Sequence, residues 1–194
     1  MKYTKEDLAF LKNKRARQHT TDAMVTGKLC VISGATSGVG LAAARRLAQG
    51  GTNLVLVARN RQKAEAVKAE LETAYPIKAD IVLADFSRLD DVRKAGEAIR
   101  ERYSVIDVVI NSAGVHCTRR HLTPDGNELV FQVNHLSPFL LTMLLLGNLS
   151  KSAQGRVIQV NSEGHRFGGL HMGDLDWNIR FYIGLRAYGA SKTA

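Results

Sequence analysis

The sequence predicts an α/β protein built on a doubly wound parallel sheet, and three observations carry that prediction. From Lys28 onward, short apolar runs alternate with stretches of helical periodicity, the pattern of a parallel sheet with helices on both faces. The first run leads directly into Ser33-Gly34-Ala35-Thr36-Ser37-Gly38-Val39-Gly40, a glycine-rich turn between strand and helix. The run Val105–Ile110 is apolar at nearly every position, as a strand buried on both faces requires.

The elements follow in order. Leu29–Ser33 is the first strand and Gly38–Gln49 an Ala/Leu helix. Asn53–Ala58 is the second strand, followed by a helix with Ala64, Val67, Leu71 and Ala74 at helical spacing. Ala79–Leu83 is the third strand. In the helix Ser87–Arg102, Leu89, Val92, Ala95 and Ile99 form one face, and Ser87 and Asp90 are spaced as a capping box. Val105–Ile110 is the fourth strand, a long helix lies within Asp125–Leu149, and Arg156–Val160 is the fifth strand. Glu163–Ala187 is glycine-rich and irregular, and a final helix begins near Tyr188. Residues 1–26 form a separate basic arm ahead of the domain at 27–194. Within the arm Thr4–Gln18 is helix-like, with Thr4 as cap and only Leu8 and Leu11 as an apolar stripe. That stripe is short for a membrane-surface anchor, so a peripheral helix is the better reading.

At 194 residues the chain is sized for one domain, and 45% hydrophobic residues suffice for a full core. Cys30 in an apolar run and Cys117 in a polar stretch make no disulfide framework, which points to a reducing, cytoplasmic setting. No apolar run reaches the roughly 18 residues of a membrane span. The longest, Phe139 to Leu146, is interrupted by Thr142 and reads as a buried helix. The N-terminus carries no signal-peptide core. The net charge of +9 invites a nucleic-acid reading, but much of the excess lies at Lys12, Lys14, Arg15 and Arg17. No basic stripe studded with aromatics accompanies it, so a solvated basic surface suited to an anionic cofactor is expected.

The glycine turn points to a dinucleotide. Glycines let backbone approach a pyrophosphate closely, and the helix N-terminus behind them offers unpaired N–H groups and partial positive charge. The end of the second strand separates the cofactors. An acid there would bind the ribose 2′-hydroxyl of NAD(H) and repel a 2′-phosphate, whereas an arginine would attract it. The sequence reads Val57-Ala58-Arg59-Asn60, so NADP(H) is preferred over NAD(H), unless Arg59 is merely a solvated residue at a strand end.

Six motifs then resemble those of the short-chain dehydrogenase/reductase family, each in order and at the expected strand or helix edge. Gly34-xxx-Gly38-x-Gly40 is similar to that family's loop, with Thr36, Ser37 and Val39 between and beside its glycines. Asp85-Phe86 follows the third strand, where the resemblance implies an acid meeting the adenine. Asn111-Ser112-Ala113-Gly114 resembles its Asn-Asn-Ala-Gly motif, with serine as a departure. Asn134, Ser162 and Tyr188-Gly189-Ala190-Ser191-Lys192 are similar to its helix asparagine, its serine and its Tyr-x-x-x-Lys. Thr123-Pro124-Asp125-Gly126, Val133 to Thr142 and the long Ser-to-Tyr insertion resemble the retinol-dehydrogenase-like branch. The likeness runs from about Gly27 to Ala194.

The resemblance implies an oxidoreductase acting on a small-molecule carbonyl or alcohol, with a lipophilic retinoid or steroid as the branch's suggestion. Family members form dimers or tetramers, so a homo-oligomer is expected. Tyr188 would be general acid in reduction and base in oxidation. A free phenol ionises only near pH 10, and residues i and i+4 share a helix face, so the Lys192 ammonium would favour the phenolate. Lys192 would also hold the nicotinamide ribose, Ser162 the substrate oxygen, and Asn134 a proton-relaying water. Read singly, Ser162 could cap a strand end, Asn134 could bond local backbone and Tyr188 could be a core aromatic.

Other candidates carry less. His116, Cys117 and His121 share a loop but lack a fourth metal ligand, and His165 and His171 suit a substrate cover better than a metal. Trp177, Phe181 and Tyr182 are expected to pack the insertion, with a substrate-wall role as the sharper alternative. No G-x-S-x-G elbow suggests a hydrolase. Two rival readings remain: a catalytically silent nucleotide-binding module, and a nucleic-acid binder led by the basic arm. The family continues past Lys192 through more helix, two strands and a substrate lobe. The chain is therefore expected to be incomplete, with its fifth strand left as an apolar edge and its solubility dependent on partner contacts.

Overall fold

The computed structural model describes residue 21 and residues 25–194. The expected arm helix at Thr4–Gln18 lies outside the described residues. Five parallel strands form one sheet in the order β3-β2-β1-β4-β5: β1 (Leu29–Ser33), β2 (Asn53–Ala58), β3 (Ala79–Leu83), β4 (Val108–Asn111) and β5 (Arg156–Gln159). Helices α1 (Gly38–Gln49), α2 (Arg61–Ala74) and α3 (Leu89–Arg102) link them. A long α4 (Leu129–Leu149) precedes β5, and α5 (Gly184–Thr193) ends the chain. The doubly wound parallel sheet is thus as the periodicity indicates.

Burial follows from parallel pairing. Cys30, Ile32, Leu54 and Leu56 pack with Ala44, Ala48 and Leu71 of α1 and α2. Val31, Val55, Val57 and Val109 pack with Val92, Ile99, Leu141 and Leu145 of α3 and α4. Side chains alternate across each strand, so a sheet covered on both faces needs apolar residues at every position. In this interior burial pushes the Cys30 thiol up to about 12.

Four boundaries differ from the expectation. β4 starts at Val108, because Ile106 N–H donates to Asn148 O (3.1 Å) and Val105 is exposed. The Asp107 carboxylate beneath it accepts from Leu29 N–H (2.9 Å), Ser152 Oγ (2.7 Å) and Lys28 Nζ (3.1 Å). Burial opposes its ionisation, but these bonds outweigh it and hold the carboxyl below its ordinary value. The Ser87 capping box does not form. Ser87 Oγ bonds Asp85 (2.8 Å) outside the helix, and the Leu89 N–H at the start of α3 is met by remote Asp125 (2.8 Å). α5 begins at Gly184 rather than near Tyr188, and β5 ends at Gln159 rather than Val160.

α4 contains a π turn at Gln132–Leu136. Its 21 residues, which include an 18-residue stretch of mean hydropathy 1.6, are long and apolar enough to cross a bilayer, which shorter runs in the sequence do not suggest. Half of that apolar window is buried in the fold, where Leu141 and Leu145 join the core beside α3 and β4. At the sheet's edge, Val157 and Ile158 of β5 are 38% and 44% exposed, the apolar edge that the sequence anticipates.

Candidate active site

The sheet order reverses at β1, which pairs with β2 on one side and β4 on the other. Loops leaving the carboxyl ends of such strands diverge and open a crevice. Here the crevice is a cleft of about 920 Å³. Its walls include Gly34, Thr36, Ser37, Gly38, Val39 and Gly40 from the first loop, Arg59 and Asn60 after β2, and Asp85 and Phe86 after β3. Ala113 and Gly114 after β4 and Tyr188 and Lys192 on α5 complete the set. One concavity therefore gathers most of the residues singled out in the sequence.

The glycine loop is shaped by two distinct needs. Gly34 has φ +72°, and a Cβ there would lie 2.7 Å from Ala113 N and 2.8 Å from Ala113 Cα. It seats the β1 turn against the β4 loop, where Ser33 Oγ accepts from Ser112 and Ala113 N–H (3.2 and 3.3 Å). Gly38 has φ +54° and would point a Cβ into open space. Behind it, Ser37 gives α1 no side-chain cap and the first turn holds no acid. The N-terminal amides and the positive end of the helix macrodipole thus face the cleft.

At the β2 end Asn60 accepts from Lys63 N–H (2.9 Å) and caps α2. The cap brings Lys63 into the wall beside Arg59, a second cation that the motifs do not single out; its signal is a lysine four residues after Arg59. Asp85 accepts from both Ser87 N–H (2.9 Å) and Ser87 Oγ (2.8 Å), so its carboxylate is held in a tight turn at the rim. Phe86 O accepts from Ser137 Oγ (2.7 Å), which ties the β3 loop to α4.

Three residues take positions other than those expected. Asn111 does not reach the cleft. It is buried at the end of β4 and donates from Nδ2 to Thr142 Oγ1 (2.9 Å), while its Oδ1 has no partner among the described residues. Asn134 sits in the π turn, and its side chain is spent on backbone and α5. It accepts from Val115 N–H (2.8 Å) and donates to Val115 O and Ser191 Oγ (both 3.0 Å). It braces the β4 loop against α5. Ser162 Oγ accepts from Gly164 N–H (3.0 Å) and caps the 3-10 turn Glu163–Phe167.

Ser162 nonetheless stands close to Tyr188. A Cβ on Gly164 would lie 2.8 Å from Tyr188 Cε1 and 3.2 Å from Ser162 Oγ. Gly164, which nothing in its own stretch of sequence distinguishes, lets the serine turn and the tyrosine ring meet. Lys192 Nζ lies 5.9 Å from the Tyr188 ring centroid and donates to Val160 O (3.0 Å). Burial lowers its pKa. The ammonium is thus anchored to the end of β5, beside the phenol ring.

The insertion packs partly as expected. Trp177 is buried at φ +56°, with Arg180 4.0 Å over its ring and Tyr182 edge-on at 5.5 Å. Phe181 departs from the expectation: it is 87% exposed. His165 and His171 are not among the cleft walls, and the described residues hold no group of three or more metal-binding side chains.

Comparison with known proteins places this geometry. The sequence model of the short chain dehydrogenases matches residues 28–174. The candidate daunorubicin C-13 ketoreductase DnrU of Streptomyces sp. (strain C5) is 39% identical over 178 residues, covering 92% of this chain and 61% of that protein. Human retinol dehydrogenase 13 is 37% identical over 175 residues, 89% of this chain and 52% of its own length. The chain thus spans between half and two thirds of these curated relatives. A crystal structure of an uncharacterised protein from Mycobacterium paratuberculosis superposes with a TM-score of 0.77 at 34% identity, covering 88% of this chain and 59% of the other. The Pseudomonas aeruginosa RhlG/NADP complex does so with a TM-score of 0.69 at 25% identity, covering 88% and 64%. A family model spanning most of the chain, joined to relatives of this identity, makes it a member of the short-chain dehydrogenase family, in the retinol-dehydrogenase-like branch.

Proposed function

We propose that this chain transfers a hydride between NADP(H) and a lipophilic carbonyl or alcohol. The observation that carries the reading is one cleft lined both by an uncapped helix start and by Tyr188 with Lys192. Gly38 and the first turn of α1 would hold the diphosphate, since a Cβ at Gly38 would fill the space such a group needs. Arg59 and Lys63 would hold the 2′-phosphate, and their charge supports NADP(H) over NAD(H). The likeness to the P. aeruginosa RhlG/NADP complex supports the same choice. When bound, the nicotinamide supplies or receives the hydride.

The chain's own residues handle the proton and the position of the substrate. In reduction the Tyr188 hydroxyl donates its proton to the carbonyl oxygen, and in oxidation it takes the alcohol proton. The Lys192 ammonium beside the ring stabilises negative charge on the phenol oxygen. The Ser162 oxygen accepts from Gly164 N–H, which leaves its hydroxyl hydrogen free to bond the substrate oxygen. Asn134 keeps the β4 loop and α5 in register with one another. Among the apolar walls Val115, Val133 and Leu185 suit a lipophilic substrate, in keeping with the retinol dehydrogenases among the relatives.

The setting is proposed to be cytoplasmic, which the free thiols of Cys30 and Cys117 support. Self-association is proposed through α4, whose Phe139, Met143 and Leu146 are exposed on its outer side. The deciding experiment follows NADPH consumption with a panel of ketones and aldehydes. Tyr188→Phe should lower kcat by about 10²–10⁴-fold and leave NADPH affinity unchanged. Arg59→Asp should weaken NADPH and spare NADH. NADPH binding without turnover by the wild type would instead make the chain a nucleotide-binding module.

A further inference from the structure

We infer that His116 is a specificity-determining residue that selects substrates carrying a second oxygen beside the reacting carbonyl. The inference rests on the oxidoreductase reading and names the substrate class of that site. His116 lines the cleft and meets the Tyr188 ring edge-on, with centroids 5.6 Å apart and planes at 69°. This is ring-edge packing, and neither imidazole nitrogen has a hydrogen-bond partner among the described residues. The imidazole therefore brings an unspent donor and acceptor to the reacting end of the cleft.

The loop holding it is pinned on both sides. Val115, immediately before it, is bonded through both N–H and C=O to the buried Asn134 side chain (2.8 and 3.0 Å). Cys117, immediately after it, is touched by the start of α5: a Cβ on Gly184 would lie 2.2 Å from Cys117 O and 3.0 Å from Thr118 Cα. His116 is thus presented from a fixed frame rather than from a loose loop, as orienting groups must be. Its neighbours on that wall, Val115 and Leu185, are apolar. Leu185 lies one helical turn before Tyr188 and so on the same side of α5.

A polar group in such a wall discriminates by the bond it offers. A carbonyl taking the Tyr188 proton lies at the tip of the phenol, against whose ring the imidazole packs. His116 is solvent-exposed, so a hydroxyl or second carbonyl two or three bonds away can bond a ring nitrogen in place of water, whereas a plain alkyl ketone gains no such bond. The preferred substrates are accordingly 1,2- or 1,3-dicarbonyls and hydroxyketones with a lipophilic remainder. Hydride and proton are added to one carbonyl, and the second oxygen is unchanged.

The test compares 1-phenylpropane-1,2-dione with propiophenone. His116→Leu should lower kcat/KM for the dione by about tenfold and leave propiophenone within about twofold, while His116→Gln, which retains a donor and an acceptor, restores most of the loss. Calorimetry of the dione with the NADP⁺-loaded chain should show the same loss of affinity in His116→Leu and so reads the residue without turnover. Equal losses for both ketones, or equal dione affinity in wild type and His116→Leu, would overturn the inference. Failure of the wild type to reduce either ketone would count against the oxidoreductase reading alone, and the binding comparison would still decide the role of His116.

Discussion

Glu128 offers the sharpest test of how this fold holds its site. It is a fully buried carboxylate at the start of α4. Its oxygens accept from Val130 N–H (3.0 Å), Phe131 N–H (2.7 Å) and the Tyr182 hydroxyl (3.1 Å). Burial and the Glu128 charge push the Tyr182 phenol well above its ordinary value, so it stays a donor. Glu128→Ala removes a helix cap, leaves two buried amides unpaired and takes the acceptor from a half-buried phenol, for an expected loss of about 3–5 kcal/mol. That is a large share of the roughly 5–15 kcal/mol by which domains are stable. In urea unfolding the midpoint should fall by about 2 M at an unchanged slope. Glu128→Gln keeps one acceptor oxygen and should lose about 1–2 kcal/mol. Tyr182→Phe should lose a similar amount and couple to Glu128→Gln in a double-mutant cycle. If Glu128→Ala and Glu128→Gln were equal and within about 1 kcal/mol of wild type, the carboxylate would not be the clamp described.

Other predictions are more local. Gly34→Ala places a side chain against the Ala113 backbone at φ +72°, so it should destabilise the fold by at least about 3 kcal/mol in thermal or urea unfolding. Gly38→Ala meets open space at φ +54° and should cost only about 1–2 kcal/mol of stability, yet weaken NADPH in a fluorescence titration. Burial raises the pKa of Asp174, but Arg180 and the N–H groups of Arg180, Asn178 and Ile179 outweigh it and hold the carboxyl at about 2. A depressed carboxylate stabilises fully above its unfolded pKa of about 3.9 and loses that contribution as pH falls through its folded value. The stability gap between wild type and Asp174→Asn should therefore shrink as pH falls from about 5 through about 2, and a gap as wide at pH 2 as at pH 7 would refute the pairing.

Most of the site is legible in the sequence because its signals are local. A backbone that must turn sharply beside a diphosphate demands glycine, and Gly34, Gly38 and Gly40 stand where strand meets helix. A basic residue in place of an acid after β2 is likewise a one-position signal. Residues whose task depends on distant partners are harder to read. Asn111 resembles a cofactor contact in sequence, yet it is sealed in the core against Thr142. Asn134 resembles a water holder, yet its amide is consumed by Val115 and Ser191. Gly164 offers no local cue, because its constraint comes from Tyr188, far along the chain on α5.

Taken alone, the sequence determined the sheet, the helices that cover it and the chemistry of the residues at its carboxyl edge. Periodicity and backbone sterics act over a few residues and leave their mark in the order of side chains. Only the tertiary structure decided which side chains remain free. Asp125 was drawn off to cap α3, Glu128 was buried beneath Tyr182, and the His116 ring in the cleft bonds no partner among the described residues. A polar group bonds whatever the fold brings within reach. Its availability is therefore a property of the three-dimensional neighbourhood, which no short stretch of chain encodes.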